Sequence, residues 1–239
     1  MVALVLLPGM DGTGQLFDDF LEALGPEVQA IVVSYPPDQV LDYAQLEAFA
    51  RSRLPSEQPF VLLGESFSGP IVVSIAASAP SGLRGLVLCC SFVKNPRPAL
   101  GWLRALSGVL PVGAIPTGLL SRTLLGRFST PSIHRALLQA LAGVSSRALR
   151  ARVRAVLGVN VASLLSRVRV PVLCLRATED RVVPAAASRM VSRLLPEARV
   201  VELAAPHFLL QAVPAEAALH VGAFLREVSV GLFPPVGDS

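Results

Sequence analysis

A serine hydroxyl is a poor nucleophile until a neighbour can take its proton, so a reactive serine must be placed with care by the chain around it. In VLLGESFSGPIVVSIAASA an apolar strand ends at Gly64, Ser66 falls in a forced turn and an apolar helix begins at once. Such a turn is strained and brings strand and helix backbones close together, which calls for small residues; Gly64, Ser68 and Gly69 supply them. The turn projects the Ser66 hydroxyl above the C-terminal end of the strand. An oxyanion formed there lies at the N-terminus of the next helix, where free amides point. Pro70 suits the first turn of that helix, because an amide there has no intrahelical acceptor to lose. Of the three histidines, His134 and His220 fall inside helical patterns, whereas His207 follows the strand-like run ARVVELA.

The segment Gly64-Glu65-Ser66-Phe67-Ser68 resembles the G-x-S-x-G nucleophile elbow of the α/β-hydrolases, with Ser68 in place of the last glycine and Gly69 behind it. The resemblance runs from Val2 to about Glu227 and keeps the family order of nucleophile, acid and histidine. PVLCLRA leads into Thr178-Glu179-Asp180-Arg181-Val182-Val183-Pro184, which is similar to the family's acid loop. Ala205-Pro206-His207-Phe208 is similar to its histidine loop, with Pro206 where a glycine is common. The resemblance therefore implies Ser66 as nucleophile, His207 as general base, and Asp180 as the carboxylate that fixes the imidazole tautomer. Glu179 is the alternative acid or else an exposed loop carboxylate, and Glu65 is a hydrogen-bonding or surface group.

Leu7-Pro8-Gly9-Met10-Asp11-Gly12-Thr13-Gly14 stands where the family has its oxyanion loop. By position the amides of Met10 and Phe67 hold the oxyanion, each worth about 3 kcal/mol when aimed at the developing charge. Asp11 is expected to hydrogen-bond within this loop. The glycines lack both the Gly-Lys-Ser/Thr ending of a phosphate loop and the G-x-G-x-x-G spacing of a dinucleotide fold. Cys89, Cys90 and Cys174 lie in apolar runs without the partners of a zinc site, and are expected as buried thiols. Neither cofactor nor metal is expected.

The elements that must position these residues are legible as alternating apolar runs and amphipathic stretches. Strands are expected at Val2–Leu7, Gln29–Ser34, Phe60–Leu63, Leu83–Cys89, Pro171–Arg176 and Arg199–Leu203. Helices are expected near Leu16–Leu24, Tyr43–Arg53, from Gly69 to about Ala79, Ala185–Leu195 and Pro214–Glu227. Near-continuous apolar strands separated by helices make a mostly parallel sheet covered on both faces. The fold class is thus α/β, with a reduced hydrolase-type sheet of about six strands, since the strand before the oxyanion loop opens the chain. The interval 94–169 reads as helical pieces at Leu100–Leu110, Gly118–Phe128, Ile133–Leu141 and Ser146–Leu165, a candidate lid. It divides a core of 1–93 and 170–228, and 229–239 reads as a flexible tail.

Composition narrows the function classes. The 239 residues are 52% hydrophobic and 16% charged, with a mean hydropathy of +0.59, which excludes disorder. The longest apolar stretch, Ala99–Leu120, carries Arg104, Pro111, Pro116 and four glycines, poor material for a membrane-spanning helix. The opening run lacks a basic segment and does not read as a signal peptide; a cytoplasmic location is expected. The net charge is +4, and Lys94 is the only lysine among 21 basic residues. The arginines are dispersed, and no nucleic-acid partner is expected. Their one cluster, Arg147, Arg150, Arg152 and Arg154, alternates with Leu149, Val153, Val156 and Leu157 and reads as the solvated face of an amphipathic helix. The resemblance and the apolar lid together imply hydrolysis of apolar small-molecule carboxylic esters through an acyl-enzyme. An acyltransferase, thioesterase or lactonase using the same intermediate, and a non-catalytic binding protein of the same fold, are the alternatives.

Overall fold

Six short apolar runs pair side by side in the computed structural model, which describes residues 2–107 and 116–231. They are β1 (Ala3–Leu7), β2 (Ala30–Val32), β3 (Phe60–Glu65), β4 (Leu83–Cys89), β5 (Val172–Ala177) and β6 (Arg199–Leu203). All pairs among these described strands are parallel, in the order β2-β1-β3-β4-β5-β6. Alternation sorts the side chains between two faces. Val5, Leu7, Leu62, Leu86, Leu88 and Cys174 join one core with Leu46 of α2 (Tyr43–Arg51), Ile71 and Val72 of α3 (Gly69–Ala77) and Val191 of a later helix, Ala185–Leu194. Leu4, Leu6, Val61, Leu63, Val87 and Leu173 join the other with Phe20 of α1 (Asp18–Leu24) and Phe224 of the last helix, Pro214–Ser229. Phe224 seats directly on the sheet at Gly85, where an added Cβ would come within 2.8 Å of its ring.

The order reverses between β1 and β3, because β2 lies on one side of β1 and all later strands on the other. A crevice opens at such a switch point, beyond the carboxyl ends of the strands. Leu7 is in register with Gly64, Glu65 with Cys89, and Cys89 with Leu175, so the loops after these strands emerge at one level.

The interval between β4 and β5 is helical: a 3-10 segment at Pro98–Arg104, α4 (Thr117–Leu124), α5 (Pro131–Ala142) and α6 (Ser146–Gly158). Two expectations change here. The helix expected over Ser146–Leu165 ends at Gly158, and a separate 3-10 segment covers Ala162–Arg167. Between them Asn160 bridges Lys94, and Val161 N–H donates to the Val93 carbonyl at 2.7 Å, closing the neck of the insertion. The helix expected over Leu100–Leu110 gives only the Pro98–Arg104 turns, its far end lying outside the described residues. Beyond β5 follow α7 (Ala185–Leu194), α8 (Leu209–Ala212) and α9 (Pro214–Ser229). Most of the expected tail, 232–239, lies outside the described residues. No described helix is long and apolar enough to cross a membrane.

Candidate active site

Ser66 leaves β3 with φ 46°, a left-handed conformation that side chains avoid and that persists only where the surroundings impose it. The surroundings are close. A Cβ on Gly64 would lie 2.5 Å from Val72, and one on Gly69 would lie 1.7 Å from Ser91 Oγ. Ser91 donates its hydroxyl to the Ser66 carbonyl at 2.6 Å. Tyr43 donates its own to the Phe67 carbonyl at 3.0 Å, with the two rings stacked at 4.9 Å. The turn then runs through Phe67 and Ser68 into α3, with Pro70 in the first turn.

Ser66 Oγ lies 2.8 Å from His207 Nε2, and His207 Nδ1 lies 2.8 Å from Asp180 Oδ2. Asp180 Oδ1 accepts the amides of Val182 and Val183 at 2.8 and 2.9 Å. With one carboxylate oxygen held by two amides, the other accepts the ring N–H. That places the proton on Nδ1 and leaves Nε2 as acceptor toward Ser66. The His207 and Asp180 side chains are only 4% and 7% exposed. Glu179 points elsewhere: it pairs with Arg127 at 2.6 Å, and that guanidinium holds its carboxyl below the usual range. Cys90 is the unexpected neighbour. Its sulfur and the ligand atoms of Asp180 and His207 all lie within 4.8 Å of one another. All three cysteines are buried, and His134 and His220 sit in α5 and α9.

Met10 reaches the same place from the loop after β1, lining one cavity with Gly9, Asp11, Ser66 and His207. The Phe67 side chain does not: its ring is fully buried against Tyr35 and Tyr43. Ser68, in the glycine position of the elbow, ties the two loops together. Tyr35 donates its hydroxyl proton to Ser68 Oγ at 2.6 Å, and Ser68 passes its own to the Pro8 carbonyl. Asp11 hydrogen-bonds within the loop, accepting the Thr13 amide and hydroxyl at 2.9 and 2.7 Å.

The solvated-face reading of the arginine cluster fails at one position. Arg147 and Arg154 are exposed, but Arg152 is 2% exposed. Its Nη1 donates to the carbonyls of Met10 at 2.9 Å and Asp11 at 2.7 Å, and Nη2 donates to Pro36 at 3.1 Å. Gly12, with φ 69°, is required beneath it, because a Cβ there would lie 2.5 Å from Nη1. Sequence reasoning missed this residue, although Arg152 stands at i+3 from Leu149 and i−4 from Val156, on the apolar stripe itself.

Glu65 is buried, and its Oε1 accepts Gln211 Nε2 at 3.0 Å; the same nitrogen donates to the Leu16 carbonyl at 3.1 Å. Burial, reinforced by Asp11 nearby, pushes the Glu65 carboxyl up to about 7. The cavity above Ser66 measures about 540 Å³. Its walls are the insertion's leucines: Leu120 and Leu124 of α4, Leu137, Leu138 and Leu141 of α5, and Leu149 with Val153 of α6. The arrangement can activate a hydroxyl and hold an apolar group beside it.

A sequence model of the family described as serine aminopeptidase, S33, matches residues 33–207. No curated protein sequence matches the chain. Among solved structures, a thermophilic esterase from Thermogutta terrifontis superposes with a TM-score of 0.83 at 17% identity, over 95% of this chain and 90% of that one. A bromoperoxidase from Bacillus anthracis gives 0.80 at 16%, over 94% and 92%. An enol-lactonase from Burkholderia xenovorans LB400 gives 0.77 at 16%, over 96% and 91%. At these identities the likeness is one of fold.

Proposed function

The chain belongs to the serine aminopeptidase S33 family of α/β-hydrolases, and on that premise we propose that it hydrolyses carboxylic esters of apolar small molecules. The observation that carries this reading is the unbroken hydrogen-bond path Ser66–His207–Asp180 opening into a leucine-walled cavity. Ser66 Oγ attacks the carbonyl carbon while its proton passes to His207 Nε2. The imidazolium so formed is stabilised by Asp180, and the amides of Met10 and Phe67 take the oxyanion. Collapse expels the alkoxide, which takes the proton from His207. Water then adds to the acyl-enzyme with His207 again as base, releasing the acid and restoring Ser66. The insertion 94–169 acts as the lid and receives the apolar acyl or alcohol group.

The test is turnover of short p-nitrophenyl esters by wild type, Ser66→Ala and His207→Ala, beside thioester and lactone substrates. Ester turnover lost in both variants supports the reading. Turnover confined to thioesters or lactones moves the same acyl-enzyme to those substrates. Turnover unaffected by either substitution removes the triad, and no turnover at all favours a binding protein.

A further inference from the structure

Helix α6 has a face that neither the cavity nor the oxyanion loop uses. Arg147, Arg150 and Arg154 stand on it at i, i+3 and i+7, and line a groove of about 890 Å³. Arg104 enters the same groove from the Pro98–Arg104 segment. It lies across Gly158, where an added Cβ would come 2.8 Å from its guanidinium carbon, so the close approach depends on that glycine. Ala151 and Ala155, also in the lining, keep the space between the arginines open. Asp42 is the acidic member of the lining, and its Oδ1 is engaged by the Gln45 amide at 2.9 Å as the cap of α2. Among the described residues none of the four guanidiniums has a carboxylate partner.

We propose that this groove binds a phosphate-bearing ligand. Unpaired guanidiniums at this spacing repel one another, and a multiply charged anion relieves that repulsion for all four. The planar fork of each matches phosphate oxygens two at a time. The volume falls within the range of small-molecule sites. A phosphorylated small molecule and a phospholipid headgroup share this chemistry. The site lies on the opposite side of α6 from Leu149 and Val153, and its occupancy does not depend on the reactivity of Ser66.

The probe is inorganic pyrophosphate, titrated calorimetrically into the full chain at low ionic strength. Saturable binding is expected, weakened at least about tenfold in R150A/R154A. It should be unchanged in Ser66→Ala and in R189A/R193A, which removes the same charge from exposed positions of α7. Vesicles of phosphatidylcholine with phosphatidylglycerol form the second arm; binding there alone, with the same loss in R150A/R154A, identifies a headgroup as the source. Circular dichroism checks each variant, and R147Q/R154Q replaces R150A/R154A should that variant not fold. Absence of binding in both arms, or equal weakening in the α6 and α7 variants, overturns the proposal.

Discussion

Arg152 Nη1 donates to the carbonyl oxygen of Met10 at 2.9 Å, so a helix of the insertion holds the loop that faces Ser66. The same helix lines the cavity through Leu149 and Val153. One element therefore supplies part of the cavity wall and holds the carbonyls that directly follow the Met10 amide in the loop after β1.

Arg152→Met is expected to lower kcat for ester turnover by about 10- to 100-fold, roughly 1.4–2.7 kcal/mol of barrier, with KM little changed because Arg152 does not line the cavity. Lysine should rescue poorly, since a single ammonium cannot span three carbonyls as the guanidinium does. Steady-state kinetics on the folded variants checks this. A fall in melting temperature with kcat intact would reduce Arg152 to a structural role.

The Tyr35–Ser68–Pro8 relay links the chain after β2, the turn after β3 and the loop after β1. Tyr35→Phe and Ser68→Ala are each expected to destabilise by about 1–2 kcal/mol. The double variant should cost about 1 kcal/mol less than the sum, because either single change already breaks the relay. Urea denaturation of the four proteins measures the cycle; strict additivity would contradict the relay.

Glu65 gives stability a pH slope. Its folded-state value of about 7 exceeds the ordinary 4.5, so the folded state holds this proton more tightly than the unfolded chain does. Stability is full below the ordinary value and is lost as pH rises through the folded one. The loss is up to about 3 kcal/mol from this group. Glu65→Gln should flatten the fall in melting temperature between about pH 5 and pH 8. Parallel curves for the two proteins would refute the assignment.

Leu138 lines the cavity from α5. Leu138→Trp is expected to lower the ratio of kcat/KM for octanoyl over acetyl esters by about tenfold or more, since each displaced methylene is worth about 1–3 kcal/mol. An unchanged ratio would place the acyl chain elsewhere.

Much of this arrangement was legible because its signals are local. Ser66, Asp180 and His207 each follow an apolar run by a few residues, and a parallel sheet brings the ends of such runs to one edge. The burial of Arg152 could be read from its place on the apolar stripe with Leu149 and Val156, but its role as a clamp could not. Its partners are the carbonyls of Met10, Asp11 and Pro36, which carry no side-chain signature. Ser68 read as a tolerated substitute for glycine, since nothing in the motif reveals that Tyr35 packs above it. The break in the helix expected over Ser146–Leu165 follows from Gly158 and from the Lys94–Asn160 bridge, a contact set by tertiary structure.

That Ser66 is an activated nucleophile is tested most directly by mass spectrometry of the protein after treatment with a fluorophosphonate, followed by peptide mapping. One adduct on Ser66 is expected, absent from Ser66→Ala and slowed by roughly four orders of magnitude in His207→Ala, because the members of such a triad act as a unit. No adduct on Ser66, with ester turnover unaltered in Ser66→Ala, would contradict it.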